Sequence, residues 1–189
     1  MDIKSFIVDS LGIETSDIDL VVPYFERVSY EKNEFLLDSG DVCEYIYYLT
    51  SGCVLNRIEG NNAEPVLKEI ITTNMWFSDL KSFEAVQPSE QFLESITAVS
   101  VYRLSRANFD LLESNFPNFS KVARKVMTEV NRHLEARILR LKQMDAQERW
   151  DWFRKEPRFQ SLTLSKKVIS EYLDMRPETL SRLIENRQN

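Results

Sequence analysis

Residues 164–189 read LSKKVISEYLDMRPETLSRLIENRQN, two short amphipathic stretches on either side of a break at Asp174–Arg176. This layout predicts two helices that pack on each other, a helix-turn-helix. Ser165 stands where an N-cap belongs, its hydroxyl placed to accept a backbone N–H. Val168, Ile169, Tyr172 and Leu173 then form one apolar stripe. Pro177 suits the first turn of the second helix, because the N–H it lacks would have no partner there. Leu180, Leu183 and Ile184 give that helix an inner face, with Glu178, Ser181, Arg182 and Glu185 opposite. Glu178 and Arg182 are four residues apart, so both can enter a groove from one helix face. A carboxylate accepts from cytosine N4, and a guanidinium donates twice to guanine. Two readings fit the pattern: a pair of helices that reads DNA, or two surface helices that close a domain under solvated charges.

Charge along the chain bears on that choice. The net charge of −6 speaks against a nucleic-acid partner, but its distribution is uneven. Residues 1–120 hold 8 Lys and Arg against 20 Asp and Glu, residues 121–145 hold 7 against 3, and residues 146–189 hold 9 against 7. An acidic front and a basic rear imply units with different partners. An acidic body also repels DNA from every surface but the intended one. Cys43 and Cys53 form no CxxC pair, which argues against a disulfide framework, a zinc ribbon or an iron–sulfur cluster. A single histidine, His133, argues against a His-based metal site or a Ser–His relay, and its helical surroundings place it at a surface or interface. No cofactor is expected. No apolar run is long enough to cross a bilayer, and Met1–Gly12 lacks a signal-peptide pattern, so a cytoplasmic location without membrane partners is expected.

Residues 1–27 carry helical spacing at Ile3, Phe6 and Ile7, then at Ile18, Val21, Val22 and Phe25, with Ser16-Asp17 as a start signal. Short β-rich runs follow at Glu34–Leu37, Tyr45–Leu49, Cys53–Ile58, Val66–Ile71 and Ile96–Leu104. Turn signals separate several of them: Asp38-Ser39-Gly40-Asp41, Ser51-Gly52 and Glu59-Gly60-Asn61-Asn62. Such closely spaced strands predict an antiparallel barrel, sandwich or jelly roll. Ser105 caps a short helix over residues 106–114, and Pro117 opens a long one to about Met144. Ala123, Met127, Val130, Leu134, Ile138 and Leu141 lie along it as a near coiled-coil seam. That seam can pack on the β-rich part or pair with its copy. Further apolar positions at Val122, Val126 and Leu139 favour pairing in a dimer. Trp150, Trp152 and Phe153 anchor the terminal unit.

In this order of elements the chain resembles the bacterial CRP/FNR superfamily of transcription regulators over nearly its whole length. Asp38-Ser39-Gly40-Asp41, followed by Tyr47-Tyr48-Leu49-Thr50-Ser51-Gly52, is similar to the family's paired glycine turns. Arg176-Pro177-Glu178-Thr179-Leu180-Ser181-Arg182 is similar to its recognition-helix motif. The resemblance implies an α+β fold: an antiparallel β-roll of the cyclic-nucleotide-binding jelly-roll type with flanking helices, a long dimerisation helix and a C-terminal helix-turn-helix. It implies a β-roll unit at 1–116, a dimerisation helix at 117–144 and a DNA-binding unit at 145–189. It implies a homodimer on double-stranded DNA, with Glu178 and Arg182 at bases and Lys166, Arg176, Thr179 and Ser181 near the contact surface or phosphates.

Three departures qualify that expectation. Where the family has its phosphate-binding cassette, this chain has Phe77-Ser78-Asp79-Leu80 and then Pro88-Ser89-Glu90-Gln91. Ser78 stands for the glycine, Asp79 for the ribose-binding glutamate and Ser89 for the arginine, with Glu90 after it. A cyclic phosphate needs a cation and free backbone donors, so no cyclic-nucleotide binding by the usual contacts is expected. Either the pocket is filled by Trp76, Phe83 and Phe92, or it takes an unidentified non-anionic effector. Asp174 stands where the turn usually has glycine, and Asp tolerates the left-handed conformation better than most residues. After the recognition helix, the residues up to Asn189 are too few for the family's β-wing. The competing class is a small-molecule-binding or protein-interaction module with a degenerate DNA-binding end. A cupin-like enzyme needs clustered His ligands, and residues 1–120 hold no His, so an enzyme is not expected.

Overall fold

The computed structural model describes residues 3–12, 18–60 and 64–185. Two parts of the expected pattern, the Ser16-Asp17 start signal and Asn61-Asn62 of one turn, lie outside them. Eight strands form two antiparallel sheets: β1 (Phe25–Tyr30), β8 (Val99–Ser105), β3 (Tyr45–Ser51) and β6 (Trp76–Phe77) in the first, and β2 (Phe35–Leu37), β7 (Gln91–Ser95), β4 (Cys53–Ile58) and β5 (Val66–Thr72) in the second. The β3–β4 hairpin turns at Gly52, whose φ is +90°; a Cβ there would collide with the Ala98 carbonyl. Helices α1 (Ile3–Phe6) and α2 (Ile18–Val21) precede the sheets, and α3 (Leu80–Ala85) interrupts them. Then come α4 (Arg106–Asn115), α5 (Phe119–Gln143), α6 (Ala146–Lys155), α7 (Pro157–Gln160), α8 (Lys166–Tyr172) and α9 (Pro177–Glu185).

Two segments differ from the sequence-based expectation. The helical spacing through Phe25 stops early: a short 3₁₀ turn with Pro23 follows α2, and Phe25 begins a strand in register with Leu104. Proline lacks the N–H a continuing helix would need, so the apolar spacing loses to the ring. The run Ile96–Leu104 is not one strand. β7 ends at Ser95, a turn intervenes, and β8 starts at Val99. β7 lacks an apolar alternation in the sequence because two of its inward residues, Gln91 and Ser95, are polar. The Ser95 hydroxyl donates to the Glu31 and Glu34 carbonyls and accepts from the Glu34 N–H.

Three apolar cores share these sheets. The first lies between the sheets, around Leu49, Val54, Ile71, Leu93 and Val101. The second joins the first sheet to α1, α2, α4 and α5 through Tyr48, Tyr102, Leu104, Leu112 and Val126. The third joins the outer face of β4 and β5 to the terminal helices, through Cys53, Leu55, Leu67 and Ile70 against Phe153, Phe159, Tyr172 and Leu173. β4 and β5 are therefore covered on both faces, which is why they read as near-continuous apolar runs rather than as strict alternation. Each large side chain buried there contributes about 1.5–3 kcal/mol. The third core thus outweighs the exposed ion pairs of the chain, which contribute about 0–1 kcal/mol each.

Candidate nucleic-acid interface and ligand cavity

Ser165 caps α8, its hydroxyl accepting the Val168 N–H at 3.2 Å. Leu173 ends the helix, and Asp174 takes the left-handed conformation with φ 49°. The turn is closed by the Met175 N–H donating to the Ser170 carbonyl at 3.0 Å. Pro177 opens α9. Leu180 is fully buried, while Leu183 and Ile184 are half-buried, so one face of α9 is fixed against the bundle. Lys166, Arg176, Glu178 and Arg182 are exposed, and Thr179 and Ser181 half-buried. All six expected DNA contacts belong to α8, α9 and the turn between them. Among the described residues no ion pair holds Lys166, Arg176, Glu178 or Arg182.

The arginines behind this surface are committed. Arg57 of β4 pairs with Glu171 of α8 at 2.8 Å, with both side chains largely buried. Arg158 donates to the Tyr172 hydroxyl at 2.6 Å and lies 3.7 Å from the buried Glu69 carboxylate. Arg137 of α5 donates to the Lys68 carbonyl at 2.7 Å and to the Tyr172 carbonyl at 3.3 Å, its guanidinium 4.6 Å over the Tyr172 ring. Burial pushes the Tyr172 hydroxyl far up and the Cys53 thiol to about 12, so both stay neutral at pH 7. Together these contacts seat the helix-turn-helix on the second sheet.

The expected effector residues fall into two groups. Asp79 is buried and caps α3 through the Ser82 N–H at 3.4 Å, and it also accepts the Ser89 hydroxyl at 2.6 Å. Ser89 accepts the Gln91 N–H at 2.9 Å. Asp79 and Ser89 are thus brought together but satisfy each other. Exposed Glu90 pairs with Lys81 at 3.4 Å, outside that contact. Ser78 stands apart from these three: its hydroxyl donates to the Tyr45 carbonyl at 2.9 Å, and it lines a larger cavity.

That cavity holds about 560 Å³ between the sheets and α5. Trp76 is at its wall, while Phe83 is buried in the first core and Phe92 packs edge-on to Phe35, so the three rings do not fill it together. Met127, Val130 and Leu134 of the expected α5 seam face it. His133 lines it too and is half-buried rather than fully at the surface. Burial, then the cations of Arg158, Arg140, Arg132 and Arg137, lower its pKa to about 4. Asn56, Lys68, Glu69 and His133 were missed as site residues; the acid of Glu69 within the apolar run Val66–Ile71 was the available signal.

No family model matches the chain, and no curated protein matches it. Solved structures do. CLP, the c-di-GMP-responsive global regulator of Xanthomonas campestris, is 16% identical with a TM-score of 0.71, covering 93% of this chain and 92% of that one. FixK2 from Bradyrhizobium japonicum is 22% identical with a TM-score of 0.67, covering 86% and 83%. A protein from Eubacterium rectale described as a transcriptional regulator of the CRP/FNR family is 10% identical with a TM-score of 0.71, covering 99% and 88%. Two four-stranded antiparallel sheets, a long helix and a terminal helix-turn-helix give this chain the fold of the CRP/FNR regulators.

Proposed function

We propose that the protein is a non-enzymatic, cytoplasmic DNA-binding transcription regulator that works as a homodimer. The observation that carries this is α9: one face is anchored by buried Leu180, and the other presents Glu178 and Arg182 exposed and without ion pairs among the described residues. Residues 1–116 form the β-roll unit, 117–144 the pairing helix and 145–189 the DNA-binding unit. Ile138 and Leu139, about half exposed at 53% and 45% on α5, supply the apolar surface for pairing. Two α9 helices then enter successive major grooves about 34 Å apart on a near-palindromic site. Glu178 and Arg182 read bases, while Lys166 and Arg176 contact phosphates, as do Thr179 and Ser181. No helix among the described residues is long and apolar enough to cross a membrane.

Control acts through the cavity rather than through the Asp79–Ser89 contact. Glu69 lines the cavity and lies 3.7 Å from Arg158, which holds Tyr172 of α8. An effector that alters Glu69 thereby alters the seat of the helix-turn-helix. Selection of binding sites from random DNA tests the regulator reading: enrichment of a two-fold-related site supports it, and no enrichment contradicts it.

A further inference from the structure

We propose that the cavity between the sheets and α5 binds a small molecule carrying an ammonium, amidinium or similar N–H-rich group on an apolar body. The inference rests on the effector reading above for the cavity's role and adds the ligand's chemical class. Glu69 is 5% exposed and lines the cavity. One carboxylate oxygen, Oε1, accepts the Ile70 N–H at 3.0 Å and faces Arg158. The Tyr172 hydroxyl is a further hydrogen-bond donor to this carboxylate and favours its charged form, while the other oxygen, Oε2, is left without a partner among the described residues. Asn56 Oδ1 and His133 Nε2 are likewise buried without partners, and both residues line the same cavity. An unsatisfied buried acceptor costs about 1–3 kcal/mol, more when charged, so the two oxygens, Glu69 Oε2 and Asn56 Oδ1, on one cavity call for a donor from outside the chain.

Glu69 and Glu129 are the acids on the cavity wall, set against Lys68 on the wall and the arginines that act on His133. Burial pushes the Glu69 carboxyl up, with Arg158 and Arg137 opposing that push, so an incoming cation stabilises a charge the site already half-supports. Lys68 is the cation on the cavity wall, and its ammonium already donates to Gln91 Oε1 at 2.9 Å. At the Asp79 and Ser89 contact the Ser89 hydroxyl is taken by Asp79, and the neighbouring Lys81 is paired with Glu90. Ile71, Met75, Trp76 and Phe77, with Val130 and Leu134 of α5, give the ligand's body apolar and aromatic walls.

Calorimetry on the full chain tests this with phenethylamine and benzamidine as cations, phenylacetate as the matched anion, and cyclic AMP as the nucleotide. The amine or the amidine is expected to bind at least about tenfold tighter than phenylacetate, with cyclic AMP giving no heat. Glu69→Gln and Leu134→Trp, which neutralises and occludes the cavity respectively, are each expected to abolish the preference, with thermal melts confirming that both fold. The wild-type comparison stands alone if a variant fails to fold. Equal or tighter binding of phenylacetate or cyclic AMP, no binding of either cation, or cation binding untouched by both folded variants overturns the proposal. No DNA enters the measurement, so its failure leaves the DNA-reading proposal standing, and the converse holds.

Discussion

Arg182 and His133 show how the same chain spends its polar groups in opposite ways. Arg182 is exposed and without an ion pair among the described residues, so its replacement leaves the fold intact. Arg182→Ala is expected to weaken binding to the selected site by about 1–3 kcal/mol and to relax preference at one base pair, read by fluorescence anisotropy at fixed salt. His133 is held neutral by burial and by Arg158, Arg140, Arg132 and Arg137. Its folded pKa of about 4 lies below the unfolded value near 6.5, so on acidification the unfolded chain takes up this proton first. The group's contribution to stability is present above about pH 6.5 and is lost as pH falls toward about 4. Because the chain has one histidine, its imidazole NMR signal is unambiguous. A midpoint near 4 is expected, and an ordinary midpoint near 6.5 would place the ring in water. At this scale the exposed face of α9 was legible, since the spacing of Glu178 and Arg182 alone put them on one side of the helix. Glu69 and His133 were not, because their meaning depends on β5 and α5 meeting across the cavity.

At the scale of elements, the terminal helices were legible because cap, turn and stripe agree locally: Ser165, Asp174 and Pro177 each do what their own backbone chemistry favours. β1 and β7 were harder to see. Phe25 satisfies a helical spacing and a strand register equally well until Pro23 decides, and the inward face of β7 is polar at Gln91 and Ser95. α5 divides its apolar surface, with Val126 buried, Met127, Val130 and Leu134 at the cavity, and Ile138 and Leu139 toward solvent. A seam read from sequence cannot say which half meets the sheets. Changing both Ile138 and Leu139 to Asp is therefore expected to convert a dimer to a folded monomer in sedimentation analysis; a dimer that survives would place the contact elsewhere. Leu180→Ala opens a hole in the core of the helix-turn-helix and is expected to destabilise it by about 2–5 kcal/mol, seen as faster amide exchange through α8 and α9 than in the sheets.

Across the whole molecule, charge and packing assign different tasks to the two ends. Residues 1–120 carry the acid excess, and the basic excess falls on residues 121–189, where α5 and the terminal helices lie. The apolar core of Cys53, Leu55, Leu67 and Ile70 against Phe153, Phe159, Tyr172 and Leu173 seats the helix-turn-helix beside the cavity rather than leaving it on a tether. Arg57–Glu171 and the Glu69–Arg158–Tyr172 contacts then fix its orientation. In the proposed function two such heads read one DNA site. Selection from random duplexes at a stated salt concentration, repeated with Arg182→Ala, tests it most directly. A two-fold-related sequence with half-sites one helical turn apart is expected, lost or relaxed in the variant. No enriched site, or a site bound equally well by the variant, would contradict it.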